Sequence, residues 1–316
     1  DVYKRQVWYG RATKGAALAV KARLLLYSAR PLFNGNPMYA SMKNVYGKNL
    51  FPTEYDPAKW QLAADAAKAV MDLNVYEIVG ENANAPYDSW KKVFIERWNK
   101  ELIFAVQRTS YNWRVSTTPR AVGGRAYGGV SVTQKLVDAF AMSNGRYPIT
   151  GYLSDGKPIV DDESGYTESG FASFKHPILG QTKPTFKMYL NREPRFYMSV
   201  YWSGLNWIGG TNRLDEIQLY TGGNSGPGID GTQTNYSVTG YLPFKFYDST
   251  FDSKSAGSST SAWIAITWPL FRYAEILLDY AEAVNNCEER VASEITGALN
   301  RIRRRAGVPD IEEVYP

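Results

Sequence analysis

One cysteine, one histidine and no long apolar run are what this 316-residue chain offers to the usual stabilising and catalytic devices. Cys287 cannot close an intrachain disulfide by itself, so cross-linking plays no part in the fold. No apolar run reaches the ~18 residues of a membrane-spanning helix. The longest candidate, 16–29, is interrupted by Lys21 and Arg23. His176 lies in HPILG with no acid or nucleophile at a recognisable spacing, and no G-x-S-x-G elbow accompanies it. It reads as a loop residue. The glycine groups at 123–129 and 222–228 lack the Lys-Ser/Thr ending of a phosphate loop and the strand–helix setting of a dinucleotide fingerprint. They read as flexible turns, and no cofactor is expected.

What is present is ordinary globular composition, 44% hydrophobic and 21% charged, in a chain long enough for one large core or two smaller ones. The net charge is +5, with a cluster at Arg301, Arg303, Arg304 and Arg305. No nucleic-acid-binding motif accompanies it, so a solvated arginine face at a helix C-terminus is the simpler reading.

Helical periodicity sits at the two ends. Leu270, Ala274, Leu277, Ala281 and Val284 recur at four- and three-residue steps, with Pro269 suited to the first turn. Val291, Ile295, Leu299, Ile302 and Ala306 form a second series that stops at Gly307 with Pro309 beyond. Two helices joined by a short polar turn fold back antiparallel, a hairpin of roughly 39 residues against the ~34 of a tetratricopeptide unit. Near the start, alanines 16, 19 and 22 and leucines 18, 25 and 26 make a closely packing helix that Pro31 ends. A further helix opens at Asp56–Pro57, an N-cap acid and a first-turn proline, with Leu62, Ala66, Val70 and Leu73 on one stripe.

The middle, 76–267, holds six of the nine tryptophans and most of the glycines. Runs at 102–107 and 196–202 read as strands, and those at 221–235 and 249–262 as mobile loops. Glu275, Asp279 and Glu282 share a helix face, and Arg272 three residues before Glu275 makes helix-face ion pairing, or contact with a neighbouring helix, simpler than metal binding, since di-iron helices need histidine. Asp161, Asp162 and Glu163 form a loop cluster with the oxygen ligands that calcium takes but without EF-hand spacing, and no metal is assigned. Aromatics, at 14%, are the real excess. Tyr111, Asn112 and Trp113, with Trp202, Asn206, Trp207 and Arg213, combine flat rings with amides and a guanidinium. That pairing suits carbohydrate, the ring covering C–H faces while polar groups bond hydroxyls. These seven are the candidate ligand-binding residues. Each ring also has a plainer reading as core filling. Two or three stacked rings plus hydrogen bonds give roughly −4 to −6 kcal/mol, millimolar to tens-of-micromolar affinity.

Six segments in order resemble the SusD/RagB family of outer-membrane nutrient-binding lipoproteins. They are GRATKGAALAVKARLLLYSARPLFNG at 10–35, NKELIFAVQ at 99–107, GGVSVTQKLVDAFAMSNG at 128–145, NREPRFYMSVYWSG at 191–204, TGYLPFKFYD at 239–248 and the hairpin at 268–309. The resemblance implies a mainly α fold, a tetratricopeptide-like scaffold of helical hairpins with a long loop-rich insertion carrying short strands. It implies one domain over 1–316, with scaffold at 10–75 and 268–307 and a ligand-facing region at 76–267. Both ends read as cut: signal peptide, lipidated cysteine and N-terminal helices of the family are missing, and 1–6 does not fit the pattern. Loss of neighbouring helices would leave a marginally stable piece.

The implied function is non-enzymatic: a surface-exposed lipoprotein of a Bacteroidetes-type outer membrane that captures oligosaccharide or polysaccharide. It would pass the ligand to a SusC-like TonB-dependent transporter, with the lipid anchor lying outside this chain. The ligand residues above come from local chemistry, not from the family. The rivals are peptide uptake by a relative, a non-catalytic helical-repeat adaptor, and a glycoside hydrolase, which needs two carboxylates about 5–10 Å apart across a cleft.

Overall fold

The computed structural model describes residues 10–82, 84–109, 111–209, 212–252 and 265–316. The segment 1–6 and most of the 249–262 loop lie outside them. Helix α1 (Lys14–Ala29) starts where the Thr13 hydroxyl accepts the Ala16 N–H, and buries Ala16, Ala19, Ala22, Leu26 and Ala29. Helix α2 (Ala58–Met71) opens one residue later than the sequence implies; Asp56 still caps it, accepting the Ala58 N–H at 3.0 Å. Its buried stripe is Trp60, Ala63, Ala64, Ala66, Ala67 and Val70, and Leu62 faces solvent. Alanines on both surfaces let α1 and α2 approach closely, so the bulkier leucine takes the outer side.

The chain ends meet in space. From the C-terminal part, α7 (Tyr273–Asn286) packs on α2 and on α8 (Ala292–Ala306), and touches α1. Together these helices enclose one apolar core that includes Ala22, Leu26, Ala67, Val70, Ile276, Leu277 and Ile302. Two forked ion pairs cross from α1 to α7. Arg23 donates to both carboxylate oxygens of Glu275 at 2.6 and 2.7 Å, and Arg30 to both of Glu282 at 2.7 and 2.6 Å. The partner of Glu275 is therefore on the neighbouring helix. Of the two expected explanations the contact with a neighbouring helix holds, and Arg272, expected as the partner on the same helix face, turns to Glu101. Asp279 sits between the two pairs with one oxygen unbonded, and burial followed by the Glu275 charge pushes its carboxyl up to about 7.

Residues 268–272, expected to begin the last hairpin, are strand. β1 (Leu102–Thr109) pairs antiparallel with β10 (Ala265–Arg272), which places Pro269 opposite Ala105. A two-stranded ribbon has free edges on which a missing N–H costs nothing, so proline is tolerated there as readily as in a first helical turn. Helix α8 stops as expected: Gly307 takes φ +73, and a Cβ there would meet Pro86 at 2.9 Å. A last short helix, α9 (Ile311–Val314), follows.

The arginine quartet is not a solvated face. Arg301 bonds both oxygens of Glu81 at 3.0 Å, Arg303 the Pro309 carbonyl at 2.6 Å, Arg304 the Asp310 carboxylate and Arg305 the buried Glu101 at 2.8 Å. Glu101 also accepts from Arg272 at 2.6 Å and from the Val79 N–H. Two guanidiniums on one fully buried carboxylate rivet α8 and β10 to the start of β1.

Among the described residues the middle contributes paired strands and short helices. The ribbons are β2–β3 (Ile149–Tyr152, Pro158–Val160), β4–β5 (Phe171–Lys175, Thr182–Phe186), β6–β9 (Val200–Trp202, Tyr241–Pro243) and β7–β8 (Asn206–Gly209, Asn212–Glu216). The helices are α3 (Pro86–Phe94), α4 (Tyr111–Thr117), α5 (Gln134–Asp138) and α6 (Pro194–Ser199). The run 196–202, expected as strand throughout, is divided. Pro194 in the first turn nucleates α6, and only 200–202 extend into β6.

The glycine-rich run 221–235 is built rather than loose. Gly222 donates to the Pro227 carbonyl, Asn224 bridges the Gln218 N–H and the Glu216 carbonyl, and Arg120 donates to the Asn224 carbonyl. A Cβ on Gly226 would fall 1.9 Å from the Tyr220 carbonyl, so backbone meets backbone there.

Candidate functional site: a ring-walled pocket on helix α3

Most of the aromatic excess is spent on a second core. Trp202, 3% exposed, packs in one cluster with Tyr189 and Phe196, its ring centroid 4.8 and 5.5 Å from theirs. Trp207, 8% exposed, meets Tyr201 and Tyr247 edge to face at 5.4 and 5.3 Å. Neither offers a ring face to a ligand, because the loop-rich region needs these rings to bury apolar surface of its own. This corrects their reading as a stacking platform. Asn206 exchanges backbone bonds with the Gln181 side chain at 2.7 and 2.9 Å, and its own buried oxygen has no partner. Trp113 is half-buried, donates to the Lys245 carbonyl at 3.3 Å and abuts Phe246 and Trp268. Asn112 is exposed on α4. Tyr111 on α4 and Arg213 in β8 have side chains outside the described set. Of the five described side chains, Trp113 and Trp207 line one small cavity together, and Asn112, Trp202 and Asn206 are not among its lining.

His176 is equally internal. Its Nδ1 accepts the Ile178 and Leu179 N–H groups at 3.2 Å, and burial lowers its pKa to about 3. It remains a neutral turn-former. Asp161 and Glu163 both pair with Arg146. Among the described residues, no three His, Cys, Asp or Glu side chains cluster as a metal would require, and no helix is long and apolar enough to cross a membrane.

The open feature lies elsewhere, where α3 faces the segment 244–249. Pro86 starts α3, and Ser89, Val93 and Phe94 turn inward. The Ser89 hydroxyl donates to the Ala85 carbonyl at 2.9 Å, and Gly80 gives it room: a Cβ on Gly80 would lie 1.9 Å from the Ser89 oxygen. Opposite, Phe246 takes φ +66, a left-handed conformation that a bulky side chain adopts only when its surroundings compel it. The compulsion is visible: its ring stacks on Trp268 at 5.1 Å and meets Phe94 and Trp113 edge to face at 5.5 and 5.9 Å.

A cavity of 260 Å³ opens between these elements. Rings of Tyr87, Trp90, Phe94, Phe244, Phe246 and Tyr247 wall it, and Asp88, Lys91, Asp248 and Ser249 supply polar groups. Burial raises the Tyr87 phenol to about 12, so it stays a neutral donor. Lys245 backs the wall, its ammonium 4.3 Å from the Phe94 centroid; burial and then the nearby Arg272 charge lower its pKa to about 8. Flat apolar walls with a few polar groups near the mouth suit a ligand with both C–H faces and hydroxyls. Of these residues the sequence reading singled out none individually. The available signal was the run FKFYD at 244–248 within reach of a tryptophan-bearing helix.

Solved structures share this architecture. The protein BT4246 superposes with a TM-score of 0.74 at 26% identity, covering 98% of this chain and 56% of its own. A SusD-like protein, BF3747, from Bacteroides fragilis NCTC 9343 gives a TM-score of 0.65 at 25% identity, covering 98% and 50%. A SusD-like carbohydrate binding protein, BF0978, from the same strain shares the fold at TM-score 0.57 and 18% identity, covering 97% and 47%. The chain spans about half the length of these relatives. No curated protein matches it. The model of the SusD family matches residues 100–316, from the Glu101 rivet through the ring-rich region to the last helices. This chain belongs to the SusD family.

Proposed function

We propose that the chain is part of a non-catalytic, surface-exposed outer-membrane protein that captures glycan and passes it to a TonB-dependent transporter. The helical ends act as the scaffold and the loop-rich region 76–267 faces the ligand. The observation that carries this reading is the ring-walled cavity on α3, whose flat rings and unburied polar groups suit carbohydrate. Family membership supports it, and BF0978, which shares the fold, is a SusD-like carbohydrate binding protein. Tyr111, Asn112, Trp113 and Arg213 remain candidates for an outer contact surface, whereas Trp202 and Trp207 act from within the core.

Isothermal titration against a panel of neutral and charged polysaccharides, with a peptide mixture in parallel, tests the reading. Binding of at least one glycan at millimolar to tens-of-micromolar affinity is expected. Binding of peptides with no response to any glycan overturns it in favour of peptide uptake. Release of reducing sugar from the bound polymer would make the protein a hydrolase. Co-purification with a transporter encoded beside it tests the hand-off.

A further inference from the structure

The cavity on α3 has a size and a charge balance that narrow its guest. At 260 Å³ it lies just below the roughly 300–1,000 Å³ of pockets that enclose drug-sized ligands. One six-membered sugar ring fits such a space; a run of several does not. Outside it, a shallower hollow of 320 Å³ continues along α3 past Asp88, Lys91 and Glu96. Asp88 and Lys91 line both spaces, so a chain seated by its end would lay its next unit on this charged shoulder.

The charges around the inner space cancel. Asp88 and Asp248 line it, and against them stand Lys91 at the mouth and Lys245 behind the rings. The Lys245 ammonium lies 4.3, 5.7 and 5.8 Å from the centroids of Phe94, Phe246 and Trp90, three walls of the cavity. The attraction those ring faces offer a cation is already taken. Arg272, also over Phe94, shares the single Glu101 carboxylate with Arg305, so the group adds to the positive charge behind this wall. A cationic guest would meet Lys245 across thin apolar walls, where repulsion is poorly screened. An anionic guest would meet two carboxylates, Asp88 and Asp248, against the two ammoniums Lys91 and Lys245, so no net positive charge among these four groups offsets the cost of desolvating it. A neutral polyhydroxylated guest meets neither penalty. Among the described residues Asp88 and Lys91 are engaged with no other side chain, which leaves an acceptor and a donor for its hydroxyls.

We propose that this cavity seats the single uncharged pyranose at the end of a neutral oligosaccharide, with Asp88 and Lys91 bonding its hydroxyls and the next unit lying along the outer shoulder of α3. The assignment rests on the glycan-capture reading and is separable from it by experiment.

Four hexasaccharides are titrated into the protein: a β-1,3-glucan, a β-1,4-mannan, an oligogalacturonate and a chitosan oligomer. At least one neutral hexamer binds, at least about tenfold tighter than the acidic and basic ones. Replacing both exposed groups, D88N with K91Q, weakens it by about tenfold or more, the loss expected when charge-assisted hydrogen bonds are removed, and leaves the melting temperature unchanged. The Trp90→Ala variant abolishes binding. Neutral binding that survives D88N/K91Q at full strength places the ligand elsewhere, overturning this assignment while capture stands. Equal binding of all four hexamers overturns the charge argument in the same way. Failure of every hexamer and every polysaccharide to bind removes the capture reading and this one with it.

Discussion

The helical ends and the ring-rich middle solve the same problem with different side chains. In the scaffold, alanines allow α1, α2 and α7 to come close, and forked Arg–Glu pairs fix the register between α1 and α7. In the middle, irregular backbone leaves wide gaps between short ribbons, and large flat rings fill them. Regular helices present periodic surfaces that small residues can match. Loops present none, so shape has to come from bulky side chains whose polar atoms also satisfy backbone, as the Tyr201 hydroxyl does for the Leu205 carbonyl. The comparison explains why a chain so rich in aromatics leaves few of them lining an open cavity. The cavity on α3 lies where the second system meets the first, walled by rings yet anchored through Phe246 and Trp268 to the strand that leads into α7.

The largest effect should come from breaking the rivet between the two regions. Glu101→Ala leaves Arg272 and Arg305 facing a buried void, and should cost about 4–5 kcal/mol, the upper range for stranding a buried charge. Urea unfolding would then show two separated transitions where the parent shows one. A loss under ~1 kcal/mol would mean that the regions do not depend on this carboxylate.

Next, Trp202→Ala should cost about 3–4 kcal/mol through the cavity it opens. Trp202→Phe should retain most of the stability and all glycan binding. Binding lost in a stable Trp202→Phe variant would return this ring to the ligand site.

The scaffold carries a pH signature opposite in sign to that of the buried His176 in the middle, whose lowered pKa makes stability rise with pH. Asp279 is raised to about 7 from 3.8, so between these values the folded chain holds a proton that the unfolded chain has released. Its contribution to stability is present below about pH 4 and is lost as pH rises through 7. Asp279→Asn should remove that dependence and add on the order of 2 kcal/mol at pH 8, read from melting curves at pH 5 and 8. A parent whose melting temperature does not fall across that interval relative to Asp279→Asn would remove the assignment. The smallest effect belongs to the half-exposed ladder: Arg23→Ala or Arg30→Ala should cost about 0.5–1 kcal/mol, diminished by salt.

Helix positions were legible where small or aliphatic residues repeat. Asp56 before α2 and Gly307 after α8 announce themselves through local backbone chemistry, which needs no distant partner, whereas the Thr13 cap of α1 was not singled out. The strand at 265–272 did not announce itself, since Pro269 suits both a first helical turn and a ribbon edge, and only β1 across from it decides. Leu62 read as core because periodicity fixes a stripe but not which neighbouring stripe faces inward. The site was less legible still. Trp202 and Trp207 have the same local polar neighbours that a sugar platform would have, and burial is a property of everything packed around them. Tyr87, Trp90 and Phe246 come from segments more than 150 residues apart, and no spacing rule joins them.

Local sequence by itself determined that four long helices form, the Asp56 start and Gly307 stop, and the family to which the chain belongs, because helical periodicity, capping and ordered motifs are encoded within short stretches. Tertiary structure alone decided which rings became wall and which became core, which carboxylate each arginine serves, and that a cavity opens at α3. Those outcomes depend on burial and on distances between segments remote in sequence, and neither quantity exists until the chain has folded.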